Sequence, residues 1–259
     1  MIHIHEFKDI APFIRGVQTR EYGLLIWQSR GGLGKTYTIK DVLDKDDYML
    51  VSGHVTAMKL YYMVWKNPEK IIVFDDVHAL LRDKKIVALM LQICDMGEDK
   101  TVGYSTTATY HGEKLPRTVI SNNKSIILCN NIPIGDATYD ALLSRAVHIN
   151  FNPSNKEVLN TLKGFAEDKE IYSWLNNNVA EFQEPLNFRM YEWAVKFKAC
   201  RQDWRHLISQ MYALNDEFKL VGELVNMPYA QAVKRWNKET GKSRRTYDRR
   251  KKEYEQSRK

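Results

Sequence analysis

GLLIWQSRGGLGKTYT, residues Gly23–Thr38, passes from a short apolar run, Leu24–Trp27, through a glycine-rich turn into a helical pattern that begins near Lys35. That order predicts a strand, a loop and a helix. Successive backbone amides in such a loop point inward and bind anionic oxygens, and the helix N-terminus adds the positive end of its dipole. Gly31, Gly32 and Gly34 allow close backbone approach. The cradle expected for a nucleotide runs through Ser29, Arg30, Gly31, Gly32, Leu33, Gly34, Lys35, Thr36 and Tyr37. Within it Lys35 would reach the β- and γ-phosphates and the Thr36 hydroxyl would ligate Mg²⁺. The pattern G-x-x-x-x-G-K-[ST] has glycine where this chain has Ser29, a small residue that a turn accepts.

The chain has 259 residues, enough for one large domain or two modest ones, and its 44% hydrophobic and 27% charged residues are those of a globular protein with an ample core. No apolar run reaches the length of a membrane span, and Met1–Phe7 lacks signal-peptide character, so no membrane is expected. Cys94, Cys129 and Cys200 are odd in number and far apart. They read as reduced thiols of a cytoplasmic protein, in a bacterial or virus-infected cell. The seven histidines are scattered and suggest no zinc site.

The net charge of +7 is unevenly spread. Gln231–Lys259 holds twelve Lys and Arg against four Asp and Glu, whereas Met1–Ala230 holds 27 basic and 28 acidic residues. The entire excess lies in the tail, which points to an anionic polymer, DNA or RNA, as partner.

Upstream of the loop, Phe7, Ile10, Phe13, Ile14 and Val17 recur at a helical period, predicting one helix within Met1–Glu21 that packs on the sheet. Downstream, a helix from Lys35 to Leu43, a strand at Tyr48–Ser52 and a helix over Val55–Trp65, broken by Asn67-Pro68, are expected. Ile71–Phe74 is a continuous apolar run, as in a strand buried on both faces of a parallel sheet. It ends in Asp75-Asp76, the second acid falling 40 residues after Thr36, where α/β sheets bind ligands. Asp75 would hold the Mg²⁺ water shell and Asp76 would orient or deprotonate a water, before a helix over Val77–Met90. Ser125–Cys129 is another buried strand, ending in Asn130-Asn131 and Ile132-Pro133.

SRGGLGKT and IIVFDD resemble the Walker A and Walker B motifs of the P-loop NTPases, and the chain beyond them resembles the AAA+ branch and the related superfamily-3 helicases. The resemblance covers about Tyr22–Leu214. It implies an α/β fold with a parallel sheet sandwiched by helices, an ATPase activity, and ATP and Mg²⁺ as cofactors. In these families a strand between the two motif strands ends in a polar sensor, which Asn130 matches best and Asn131 second. DALLSRAVHINF, Asp140–Phe151, resembles the arginine-finger element; Arg145 would act on the nucleotide of a neighbouring subunit, which implies a ring or filament. Arg189, in LNFRMYEWA, falls where the helical lid's sensor-2 arginine contacts phosphates. Asp-Asp in place of the commoner Asp-Glu keeps the superfamily-3 comparison open. Between the acid pair and the sensor strand, Gly97–Asn123 predicts a hairpin turning at His111-Gly112. It resembles a DNA-gripping hairpin, with Lys114 and Arg117 on phosphates and Tyr104, Tyr110 or His111 stacking on bases.

The expected organisation is an ATPase core over 1–153, a helical lid over 154–214 and a basic tail over 215–259. In the tail, helices over Tyr229–Thr240 and Ser243–Ser257 flank Gly241 and look like a helix-turn-helix, with Ser243 as the second helix's cap. Arg244, Arg245, Tyr247, Arg249 and Arg250 would reach base edges or phosphates. Three functions fit: a replication initiator-helicase of a phage or mobile element, an ATP-dependent loader or transposition-targeting ATPase, and a nucleotide-switched DNA-binding regulator.

Overall fold

A computed structural model describes residues 1–76, 83–97, 99–131, 137–182, 184–212 and 216–257. The chain divides into two compact units, Met1–Asn152 and Pro153–Lys259. The first unit is α/β. Its elements run β1 (Ile2–Ile4), α1 (Ala11–Gln18), β2 (Leu24–Gln28), α2 (Lys35–Val42), β3 (Tyr48–Ser52), α3 (Ala57–Lys66), β4 (Ile71–Asp75) and α4 (Lys84–Ile93). Next come β5 (Lys100–Gly103), β6 (Thr109–Tyr110), β7 (Glu113–Lys114), β8 (Thr118–Ser121), β9 (Lys124–Cys129), α5 (Ala137–Leu143) and β10 (Val147–Phe151).

Six strands form one sheet in the order β1-β10-β2-β9-β4-β3, every neighbouring pair parallel. Helices cover the sheet, so its central strands are buried along their length up to Gln28 and Asp75, and their buried residues are apolar except Lys124 and Ser125 at the start of β9. All of Leu24–Trp27, Ile71–Phe74 and Lys124–Cys129 is buried. Register sets the rest. Gln28 pairs with Cys129 and Asp75 with Leu128, so the next residues, Ser29, Asn130 and Asp76, leave the sheet at one edge. The ladder continues into the loops there, with Ser29 N–H donating to Cys129 O at 3.0 Å and Asp76 N–H to Leu128 O at 3.3 Å.

Several expectations need correction. The expected N-terminal helix is α1, which opens at Ala11-Pro12, where proline suits a first helical turn, but Ile2–Ile4 before it adds an unexpected edge strand beside β10. Helix α3 starts at Ala57, because the Thr56 hydroxyl accepts from Lys59 N–H and fixes the cap there. Asp83 likewise caps α4, which runs from Lys84 to Ile93; residues 77–82 of the expected Val77–Met90 helix lie outside the described residues. Ile132-Pro133 also lies outside them.

The insert is a hairpin, as its sequence suggested. β5 pairs antiparallel with β8, and β6 with β7 around His111 and Gly112, both at positive φ (50° and 78°). Its tyrosine rings are half-buried against α3, while His111 stays exposed. Tyr104 lies on Tyr61 (centroids 5.3 Å) and Tyr110 on Tyr62 (4.9 Å), with His111 5.8 Å from Tyr62. Glu113 pairs with Lys66 at 2.6 Å. The tip is thus held against α3 by rings expected to stack on bases.

The second unit is helical: α6 (Asn155–Phe165), α7 (Lys169–Asn178), α8 (Phe188–Ala199), α9 (Trp204–Met211), α10 (Asp216–Leu224), α11 (Tyr229–Thr240) and α12 (Arg244–Ser257). Ser154, Asp168, Asn187 and Asp203 cap α6 to α9. The expected lid boundary at 214 lies outside the described residues. The tail holds three helices where two were expected, since α10 joins α11 and α12 around Leu220, Val221, Leu224, Ala232, Trp236, Tyr247 and Tyr254. Tyr247 is therefore core, 1% exposed, and unavailable to bases. Among the described residues no helix is long and apolar enough to cross a membrane.

Candidate functional site

The strongest constellation gathers where β2, β4 and β9 end. After Gln28 the chain turns through Gly32 and Gly34, at φ of 75° and 74°, and Gly34 is the residue before α2. That left-handed conformation costs other residues energy, which explains glycine at both places. Leu33 is fully buried between them and anchors the turn, while Tyr37, on the first turn of α2, is 75% exposed.

The Lys35 ammonium is turned back into the loop. It donates to Ser29 O (2.8 Å), Ser29 Oγ (3.2 Å), Arg30 O (3.1 Å) and Asn130 Oδ1 (2.8 Å). Serine in place of glycine thus adds an acceptor for this lysine. Beside it the Thr36 hydroxyl donates to Asp75 Oδ2 at 2.6 Å. Two short contacts so tie the start of α2 to the ends of β4 and β9. Asp76 comes next in the chain at φ 57°, a left-handed conformation that a non-glycine residue adopts at a cost, just where β4 leaves the sheet.

A cleft of about 390 Å³ adjoins the loop, lined by Gln28, Ser29, Arg30, Gly31, Asn130, Asn131, Asn150, Phe151 and Asn152. Arg30 reaches Asn152 Oδ1 at 3.2 Å, and burial lowers its pKa. The His148 ring lies 3.3 Å from Gln28 Oε1, and its pKa is lowered by burial and then by the N-terminal charge and His3. Gln28, Asn150 and Asn152 were not singled out from the sequence. The available signal was an amide side chain at or beside the C-terminal end of three neighbouring parallel strands: Gln28, Asn130 and Asn150. A larger cleft of about 670 Å³ in the second unit, between Phe165 and Tyr191, contains none of the residues singled out for chemistry.

Arg145 stands elsewhere. It precedes β10, whose first residue, Val147, pairs with Leu25, so it occupies the sheet edge opposite the loop. It is exposed and donates to Ala141 O at 3.3 Å. It cannot belong to the constellation around Lys35 in the same chain. Arg189 is the second residue of α8 in the second unit, and is exposed. Lys114 is exposed beside the hairpin turn. Arg117 is exposed too, but instead of lying at the tip it sits midway along the hairpin, between its two ladders, with its carbonyl accepting from Tyr104 N–H at 3.0 Å.

In the tail, Arg244, Arg245 and Arg249 are exposed, while Arg250 is bonded to Glu217 (2.5 Å) and Glu253 (2.8 Å). Ser243 precedes α12: its carbonyl accepts from Thr246 N–H at 3.0 Å and its hydroxyl lies 3.3 Å from that of Thr246.

The chain is similar to an uncharacterized 36.7 kDa protein of the nrdC-mobD intergenic region of Enterobacteria phage T4, at 27% identity over 206 residues. That match takes in 67% of this chain and spans 63% of the relative's length. No protein-family model matches the chain.

Proposed function

We propose that this chain is a P-loop ATPase, similar in plan to the AAA+ and superfamily-3 enzymes, that couples ATP hydrolysis to work on DNA as a phage initiator-helicase. The observation that carries this reading is the convergence of Lys35, Thr36, Asp75 and Asn130 on one edge of a parallel sheet whose β9 lies between β2 and β4. Similarity to a phage protein supports the setting.

The residues present fit a magnesium nucleotide. The left-handed turns at Gly32 and Gly34 clear the loop backbone of side chains, and Lys35 supplies a cation there. Thr36 and Asp75, 2.6 Å apart, are hard oxygen donors of the kind Mg²⁺ takes. Bound ATP would supply the phosphoanhydride bond that water cleaves. Lys35 then offsets phosphate charge, and Thr36 and Asp75 hold the cation. Asp76 accepts a proton from the attacking water, which Asn130 orients. Arg145, on the opposite sheet edge, serves a neighbouring copy of the chain in a ring or filament. Lys114 and the basic tail bind DNA.

The test is steady-state ATP hydrolysis with and without single- and double-stranded DNA across protein concentrations, with Arg145→Ala alongside. A DNA-stimulated rate that rises faster than linearly with protein and collapses in the variant is expected. A DNA-indifferent rate strictly proportional to protein would remove both the DNA coupling and the Arg145 role.

A further inference from the structure

The tail's positive charge is divided between two tasks. Lys242 and Arg250 both bond the Glu217 carboxylate of α10, Arg250 at 2.5 Å, and Arg250 also bonds Glu253 at 2.8 Å. Arg235 on α11 is held by Glu223 of α10 (2.7 Å) and by Glu239 (2.6 Å). Lys242 first, and then Arg250, hold the Glu217 carboxyl below its ordinary pKa. These three cations tie α10 to the other two helices. Their charges are met by carboxylates of the unit itself, although Lys242 and Arg235 remain half-exposed.

Helix α12 shows the division most clearly. Tyr247 and Tyr254 are buried on its inner face, with Arg250 between them. Arg245, Arg249 and Lys252, spaced i, i+4 and i+7, share the outer face, and all three are exposed, with Arg249 at the longer distance of 3.8 Å from the Glu253 carboxylate that Arg250 bonds. They span about 10 Å along the helix axis, over which a DNA duplex presents about six phosphate charges. Among the described residues α12 presents no exposed ring of its own, and the ring beside it is that of Tyr229 on α11, 42% exposed. Tyr247 and Tyr254 are core, and the Tyr229 hydroxyl is bonded to Asp248 at 2.7 Å with Arg244 over its ring. Single-strand binding relies on exposed rings as stacking platforms; a row of cations suits a duplex backbone.

We infer that the α10–α12 unit binds duplex DNA through the outer face of α12. Arg245, Arg249 and Lys252 are the phosphate contacts, and Arg235, Lys242 and Arg250 are struts that hold that face in place. The inference rests on the reading of DNA as partner and narrows it to a surface and a form of DNA. It also moves Arg250 from the contact group to the struts.

The neighbours Arg249 and Arg250 provide the test, because each change to glutamine removes one charge. Binding of the full chain to a short labelled duplex, and to one of its strands, is followed by fluorescence anisotropy across salt concentrations. Arg249→Gln lowers the slope of log affinity against log salt by about 0.9, the value for one lost phosphate contact. The combined Arg245→Gln, Arg249→Gln, Lys252→Gln variant lowers it by about 2.7 on the same basis. Arg250→Gln leaves the slope unchanged and lowers the melting temperature followed by circular dichroism. Equal slopes in the Arg249 and Arg250 variants, or tighter binding to the single strand, would overturn the assignment alone. Wild-type chain that binds neither DNA would overturn the nucleic-acid reading beneath it.

Discussion

Lys35 and Arg250 are both cations in a cluster of oxygens, but the clusters differ in kind. Around Lys35 the chain gathers two backbone carbonyls, a hydroxyl and an amide, supplied by the loop itself and by the residue after β9. Around Arg250 it gathers carboxylates, one of them from a different helix. The first arrangement orients a charge toward a loop whose glycine turns suit anions. The second neutralises a charge so that a helix can pack. The abundance of cations in the tail therefore overstates the surface proposed to bind DNA, whereas the lysine of the loop lies where the proposed nucleotide would sit.

The comparison can be broken most directly at its structural end. Trp236→Ala removes the largest fully buried side chain of the tail core and should cost about 3–5 kcal/mol. Hydrogen exchange should then show lost protection in α10–α12 with protection of β2, β4 and β9 retained. Unchanged protection in the tail would mean that Trp236 does not hold the three helices together.

Lys35→Ala is the matching change at the chemical end. ATP hydrolysis should fall by about 10²–10³-fold, or about 3–4 kcal/mol, with the melting temperature little altered. A large loss of stability with residual hydrolysis intact would show that its contacts with Ser29, Arg30 and Asn130 serve the loop's fold instead. Gly34→Ala sharpens the same point at smaller scale: at φ 74° a β-carbon costs about 1–2 kcal/mol, read by denaturant unfolding of the first unit.

The smallest effect is one of acidity. The Glu217 carboxyl titrates below its ordinary value because Lys242 and Arg250 bond its charged form. The stability it contributes is therefore complete above the unfolded-state pKa, about 4.3, and is lost as pH falls past it and through the lower folded value. Glu217→Gln should weaken the tail at neutral pH and flatten its acid response, as followed by circular dichroism. An identical acid profile in the variant would show that this carboxylate is not a clamp.

What the sequence disclosed was local. The strand-loop-helix of Gly23–Thr38, the bounds of β3, the acids closing β4 and the Asn after β9 can all be read from residues close in sequence. Their side chains do meet: Lys35 with Asn130 and Thr36 with Asp75. What stayed hidden depends on distant partners. β1 is three residues with a histidine at its centre, and its edge exists only because β10 stands ready to pair with it. Tyr110 and His111 read as free rings until Tyr62 of α3 is seen beneath them. Tyr247 and Arg250 read as surface because α10, which holds Leu220, Leu224 and Glu217, carries too weak a pattern to be recognised alone.

Placing β9 in the middle of the sheet also imposes a timetable. Its ladder partners, Leu24–Gln28 and Ile71–Asp75, are synthesised well before it, and they cannot join each other without it. At about 5–20 residues per second, about 3–10 s separate the appearance of Asp75 from that of Cys129 on the ribosome. During that interval the chain carries two apolar strands, each with a missing neighbour, and a hairpin that can close on its own. A nascent chain halted before Lys124 would hold every residue of the glycine-rich loop and both acids at the end of β4, Asp75 and Asp76, but could not bring them into register, and its bare strand edges would invite capture by a chaperone.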